Sequence, residues 1–448
     1  MDAFEASANV PREDFEFDHR PETDQSFENA LAKARAGERL DVDDAIALLT
    51  TGTDSDGIDL ERKEQVLEAA DHRRAEVVGE EVTFVANINN NVTTACDVGC
   101  LFCNFKDAAQ RFEEDHEGET EGFTKTPAES REIVRDAVER GIYEVCSVSG
   151  LHPALALDDE HREILESTDG DHSYKPPSAY EDDPGTYVEQ IEAMNVDGVH
   201  VHSMTPEEAY HARRGTEWGY EEVFERLEAA GLDSVPGTAA EILVDEVRDV
   251  ICPGKIGADE WVEAMTAAAK VGLDTTATIM YGHVENEAHR ALHLDRIRDL
   301  QDETGAITEF VPLSFIHPDT PLAERGMVDA GATVHEDELM IAVSRLYLDN
   351  IDHIQSSWVK YGDAQGLKML NCGADDFMGT ILSEEITKRA GGDYGEFRSF
   401  REYADMITAI GRVPVERSTD YEKRRRIDPD EEPLGPTLGP KSDGTPLL

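Results

Sequence analysis

Residues 81–105 read EVTFVANINNNVTTACDVGCLFCNF. The first nine alternate β-branched and aromatic side chains with polar ones, the pattern of a buried strand. The strand leads into a loop carrying Cys96, Cys100 and Cys103, three cysteines within eight residues. A loop can wrap three thiolates round one metal centre, where a helix would scatter them. Three protein ligands also leave a coordination position open, whereas a structural zinc site normally closes with four. The competing reading is a zinc or structural cluster site completed by Cys146 or His152. Cys146, Cys252 and Cys372 stand alone and read as small buried residues. Six cysteines in this arrangement are no disulfide framework; they fit a reducing, cytoplasmic setting.

Beyond that first strand the chain alternates. Strand-like runs at 142–149, 196–204, 232–237, 273–281, 307–315, 353–360 and 368–375 are separated by amphipathic pieces at 127–141, 219–231, 258–272 and 289–305. Strand–helix alternation predicts a parallel sheet, and eight strands predict a TIM-like (βα)8 barrel over 81–395. Such barrels carry their chemistry at the C-terminal ends of the strands, where the cysteine loop falls. Residues 1–26 are expected to be an acidic tail, 27–80 a helical extension, 396–414 a C-terminal helix and 415–448 a mobile tail. There is no internal repeat, and no Walker or dinucleotide glycine motif.

The 448 residues hold 97 Asp plus Glu against 41 Lys plus Arg, a net charge of −56. The carboxylates recur in almost every segment, the pattern of a surface adapted to molar salt, where the Debye length shrinks to about 3 Å. Without a basic patch, nucleic acid and anionic membrane are excluded as partners. No run approaches the roughly 18 apolar residues of a membrane span, and the acidic N-terminus lacks the apolar core of a secretory signal.

The three-cysteine loop, with Phe102 just before the third cysteine, resembles the radical S-adenosylmethionine (SAM) superfamily. Further segments, GLHP (150–153), HVHSMTPEE (200–208), GLDSVPGTAAEIL (231–243), ICPGKI (251–256), TTATIMYGHVE (275–285) and TGAITEFVPLSFIHPDTPL (304–322), resemble the family of FO synthase second subunits within it. LNCGADDFMGT (370–380) is a weaker match. The resemblance implies a 4Fe–4S cluster on Cys96, Cys100 and Cys103, with SAM on the open iron. It implies that a 5′-deoxyadenosyl radical cleaves L-tyrosine between Cα and Cβ. The 4-hydroxybenzyl fragment then adds to C5 of 5-amino-6-(D-ribitylamino)uracil, on the way to a deazaflavin coenzyme. A low-potential electron donor and a ring-closing radical SAM subunit are the implied partners. A futalosine-pathway enzyme of menaquinone synthesis is the nearest alternative, and a non-catalytic metal-binding scaffold is another.

Ser149 and Gly150 follow the second strand, where this family binds the SAM amino group; Ser149 replaces an expected glycine. His152 sits beside them, as a SAM or substrate contact or as part of the His-Pro turn. His200 and His202 share one face of the third strand, so either could reach substrate. Glu241 after the fourth strand, and His283 with Glu285 after the fifth, fall on the catalytic face. Glu309, within the sixth strand, needs a polar partner if it points inward. Its expected partner is the uracil. His202, Glu241, His283 and Glu309 are therefore the predicted catalytic set.

Overall fold

In a computed structural model the protein is described over residues 15–50, 59–106, 122–167, 175–381 and 397–430. Strands β1 (Glu81–Val85) and β2 (Asn87–Asn89) are separated by Ala86 alone and form one rod. From β2 a parallel sheet runs in chain order through β3 (Glu144–Ser147), β4 (His200–Ser203), β5 (Ser234–Val235), β6 (Asp274–Tyr281), β7 (Ile307–Ser314) and β8 (His353–Ile354). A parallel bridge from Gln355 to Asp376 passes the ring to β9 (Asp376–Gly379), which pairs with β1. Eight parallel strand positions thus curl into the barrel.

Helix starts are set by short polar side chains. Thr126, Thr186, Thr205, Thr333 and Ser399 each cap a helix and receive a glutamate three residues later in a reciprocal capping box. Each cap contributes about 1 kcal/mol, and the glutamates favour the positive helix ends. Part of the acidic excess is therefore structural. The helices bury Val134, Ala137, Val223, Phe224, Leu227, Trp261 and Met265 against the sheet in one continuous core. Helices Phe27–Ala36, Val42–Leu49 and Leu60–Val78 cover the barrel's side, against Glu287–Thr304 and Val334–Tyr347.

Three expectations are corrected. The last barrel strand is not 368–375: Lys368 and Met369 end the helix Trp358–Met369, and the strand begins at Asp376. Alternation cannot separate the end of a helix from the start of a strand in so short an apolar run. The C-terminal region does not become a free tail at 415. Strand β10 (Val413–Arg417) pairs parallel with β1, and β11 (Arg424–Arg426) turns back on it. Nor is the whole acidic N-terminus loose, because Phe17 is buried and Phe15 stacks on it. Residues 1–14 and 431–448 lie outside the described part.

The interior of the barrel's lower half is polar. Glu309 accepts from Arg417 at 3.0 Å, Tyr421 at 2.5 Å and Gln355 at 3.2 Å. Arg417 also binds Asp376 at 2.6 Å, which accepts from Thr83. Buried charges persist only when paired in this way. The C-terminal hairpin therefore plugs the barrel floor.

Candidate active site

The cysteine loop is anchored on both sides by backbone. Gly150 donates to the Thr93 carbonyl at 2.9 Å, Leu101 to the Ile251 carbonyl at 2.8 Å, and Leu322 to the Leu101 carbonyl at 2.9 Å. Gly150 is required here. A Cβ on it would lie 2.5 Å from the Ala95 carbonyl oxygen, so only glycine lets the loop after β3 approach this closely. Gly99 takes φ 79° to turn the chain between Cys96 and Cys100.

All three cysteines line one cavity of about 230 Å³, with Gly150, Glu241 and Lys255 on its other walls. Burial pushes up the thiol pKa of Cys96, against backbone N–H donation from Leu151 and Val98, and that of Cys100 further, against the Lys255 ammonium. Bound metal reverses this balance, since its charge replaces the thiol protons. Among the described residues, the only His/Cys/Asp/Glu trio with ligand atoms within 4.8 Å of one another is His19, Glu246 and His289. Cys96, Cys100 and Cys103 do not form such a trio, so at least one of their sulfur–sulfur distances exceeds that span. Three thiols on one cavity suit a cluster that keeps one iron open. His152 does not complete a zinc site: its Nδ1 accepts from Ala154 N–H at 3.0 Å and its Nε2 faces Asp182 at 3.1 Å.

Glu241 reaches this cavity as expected, bonded to Lys255 at 2.6 Å. The other predicted catalytic side chains are elsewhere. His202 hydrogen-bonds Ser234 at 2.7 Å inside the barrel, and burial lowers its pKa to about 3, so it is neutral. His283 is fully buried in a tight loop, between the Met280 carbonyl at 3.0 Å and Glu285 at 2.9 Å. Glu285 accepts from the backbone of Gly282 and His283 and from Arg290, which makes it a loop latch. Glu309 lies in the floor network, taken by Arg417 and Tyr421. His152 is not among the residues that line the cavity and packs edge-on to Tyr180. Ser149 lines the cavity, but its hydroxyl accepts from Val92 N–H at 2.6 Å, which explains how serine is tolerated there.

Sequence reasoning passed over Lys255 and Glu207. Both line the cavity, and Glu207 accepts from Ile256 N–H at 3.1 Å. Lys255 had a faint signal: a lone lysine after Pro-Gly in an otherwise acidic chain.

A curled parallel barrel with a three-thiolate loop after its first strand defines a radical SAM enzyme. Residues 90–297 match the radical SAM superfamily, and residues 304–429 match the CofH/MqnC C-terminal region. The fold is similar to methylornithine synthase (TM-score 0.59, 18 % identity, 86 % of this chain and 97 % of that one) and to the FeFe-hydrogenase maturase of Carboxydothermus hydrogenoformans (TM-score 0.60, 14 % identity, 89 % and 81 %). Two relatives named 5-amino-6-(D-ribitylamino)uracil–L-tyrosine 4-hydroxyphenyl transferase are far closer in sequence. That of Haloarcula marismortui is 78 % identical over 99 % of this chain and 98 % of its own, and that of Halobacterium salinarum 71 % identical over 97 % and 96 %. One from Methanoculleus marisnigri is 41 % identical over 86 % and 94 %. The chain belongs to this family of transferases. Membership brings a 4Fe–4S cluster and SAM as cofactors, and the three cysteines around the cavity fit the cluster. Among the described residues no helix is long and apolar enough to cross a membrane.

Proposed function

We propose that this chain moves the 4-hydroxybenzyl group of L-tyrosine onto 5-amino-6-(D-ribitylamino)uracil, in a reducing cytoplasm. The observation that carries this reading is the single cavity in which three thiols face the buried Lys255–Glu241 pair. When bound, the cluster and SAM supply a 5′-deoxyadenosyl radical. Cys96, Cys100 and Cys103 hold the cluster, and the Gly150 backbone closes over its loop. Glu241 and Glu207 offer carboxylates to an ammonium group, and Lys255 offers a cation to a carboxylate; together they suit the two charged ends of an amino acid. Phe102, Leu313 and Phe315 supply apolar wall, which excludes water from a reactive fragment. An external low-potential donor delivers the electron, and a ring-closing radical SAM subunit takes the product.

Anaerobic, cluster-reconstituted protein given SAM, tyrosine, the diaminouracil and a reductant should form 5′-deoxyadenosine and the coupled product together. Omitting tyrosine should stop both, and Cys100→Ala should abolish both. Formation of 5′-deoxyadenosine at the same rate without tyrosine, with no coupled product, would refute this reading.

A further inference from the structure

The segment Cys252–Ile256 is pressed onto the cysteine loop. A Cβ on Gly254 would sit 2.4 Å from the Val98 carbonyl oxygen, so the two backbones meet with no room for a side chain. This docking carries Lys255 to the cluster side of the cavity. Its Nζ lies 5.3 Å from the centroid of the Phe102 ring and 2.6 Å from Glu241 Oε1, and it lines the same cavity as Cys100. The side chains of the pair are 11 % and 10 % exposed. Glu241 is held there at φ 45° and Ala239, in the same loop, at φ 78°. Both angles are left-handed, at a cost of about 1 kcal/mol or more for each residue. Such strain persists where the surrounding fold over-determines a position.

We infer that Lys255 and Glu241 form an opposed charge pair that sets the reduction potential of the cluster on Cys96, Cys100 and Cys103. Net charge, hydrogen bonds to the sulfurs and burial govern such potentials. Reduction adds one electron from the external donor and makes or breaks no bond, so the reduced cluster carries one more negative charge. A fixed, buried cation on the wall of the same cavity stabilises that charge. Glu241 offsets part of the cation's field, so the two side chains act in opposite directions. Lys255 is in this respect a positioning residue that sets local charge. The inference rests on the assignment of the cluster to the three cysteines.

The test compares wild type, Lys255→Met, Lys255→Arg and Glu241→Gln after anaerobic reconstitution. Iron per chain is measured first, then the midpoint potential by paramagnetic-resonance titration. Lys255→Met should move the midpoint negative by at least a tenfold loss of reduced cluster at fixed potential, about 59 mV for one electron. Glu241→Gln should move it positive, and Lys255→Arg should stay near wild type. Equal midpoints, or shifts of one sign in Lys255→Met and Glu241→Gln, would overturn the inference. If Lys255→Met fails to load iron, Glu241→Gln decides alone, and the absence of a positive shift overturns the proposal. A wild type that binds no iron would overturn the cluster assignment itself.

Discussion

Gly150 and Glu309 show how a side chain's surroundings reassign it. At Gly150, any side chain must displace the Ala95 and Thr93 carbonyls, 2.5 and 3.0 Å from where its Cβ would stand. Those are backbone atoms of the loop that presents Cys96, so the strain passes to the ligands. Gly150→Ala should therefore reduce iron per chain at least twofold after identical reconstitution while the far-ultraviolet spectrum stays unchanged; full iron loading would show that the loop yields without loss. Glu309 looked like a substrate anchor because a carboxylate inside a barrel needs a partner. Its partners turn out to be Arg417, Tyr421 and Gln355. Glu309→Gln keeps an acceptor oxygen for these donors but removes the buried charge that pairs with Arg417, at a cost of about 2 kcal/mol. Chemical denaturation should show this loss, with the ratio of coupled product to 5′-deoxyadenosine unchanged. An altered ratio at unchanged stability would return Glu309 to the substrate.

At the scale of elements, the segment around Phe17 straps the outside of the cysteine loop. Phe17 packs in the same apolar cluster as Cys100, Leu101 and Ile251, and edge-on to His289 at 4.9 Å. Glu246 ties the strap down, accepting from Asp18 N–H at 2.6 Å, His19 N–H at 3.1 Å and the His289 ring at 2.8 Å. Burial works to raise its pKa, but donation from Asp18, His19 and His289 outweighs it and carries the carboxyl from 4.5 down to about 2. A lowered carboxyl pKa contributes stability that is fully present above 4.5 and is lost as pH falls through about 2. Hydrogen exchange of residues 15–20, corrected for intrinsic rates, should stay protected at neutral pH and lose protection across that interval. Glu246→Gln should remove the dependence; an unchanged acid profile in the variant would rule out Glu246 as the tie.

Over the whole molecule the governing quantity is charge. Carboxylates that cap helices or pair with arginine are satisfied locally, but most of the −56 is carried on the surface. In dilute buffer that self-repulsion opposes the compact state, and in molar salt it is screened within about 3 Å. The melting temperature should therefore rise steadily with KCl from 0.1 M to roughly 2 M, the range over which the Debye length collapses. A flat or falling series would separate the composition from any need for salt.

The amino-acid sequence alone determined the cysteine triad, the succession of strands and helices, and the salt-adapted surface. Each of these is written in residues adjacent along the chain or at a regular spacing. The triad was legible because its three ligands fall within eight residues, and the strands because alternation reports local backbone. Tertiary structure alone decided which carboxylates reach the cavity. Glu241 and Glu309 look alike as acidic residues at or near strand ends, yet one faces the thiols and the other is claimed by Arg417. That arginine comes from a hairpin whose sequence reads as a charged tail. Lys255 likewise gains its place only when the segment at 252–256 docks on the loop at 96–103. Burial and pairing arise from contacts between distant segments, and those contacts exist only once the barrel has closed.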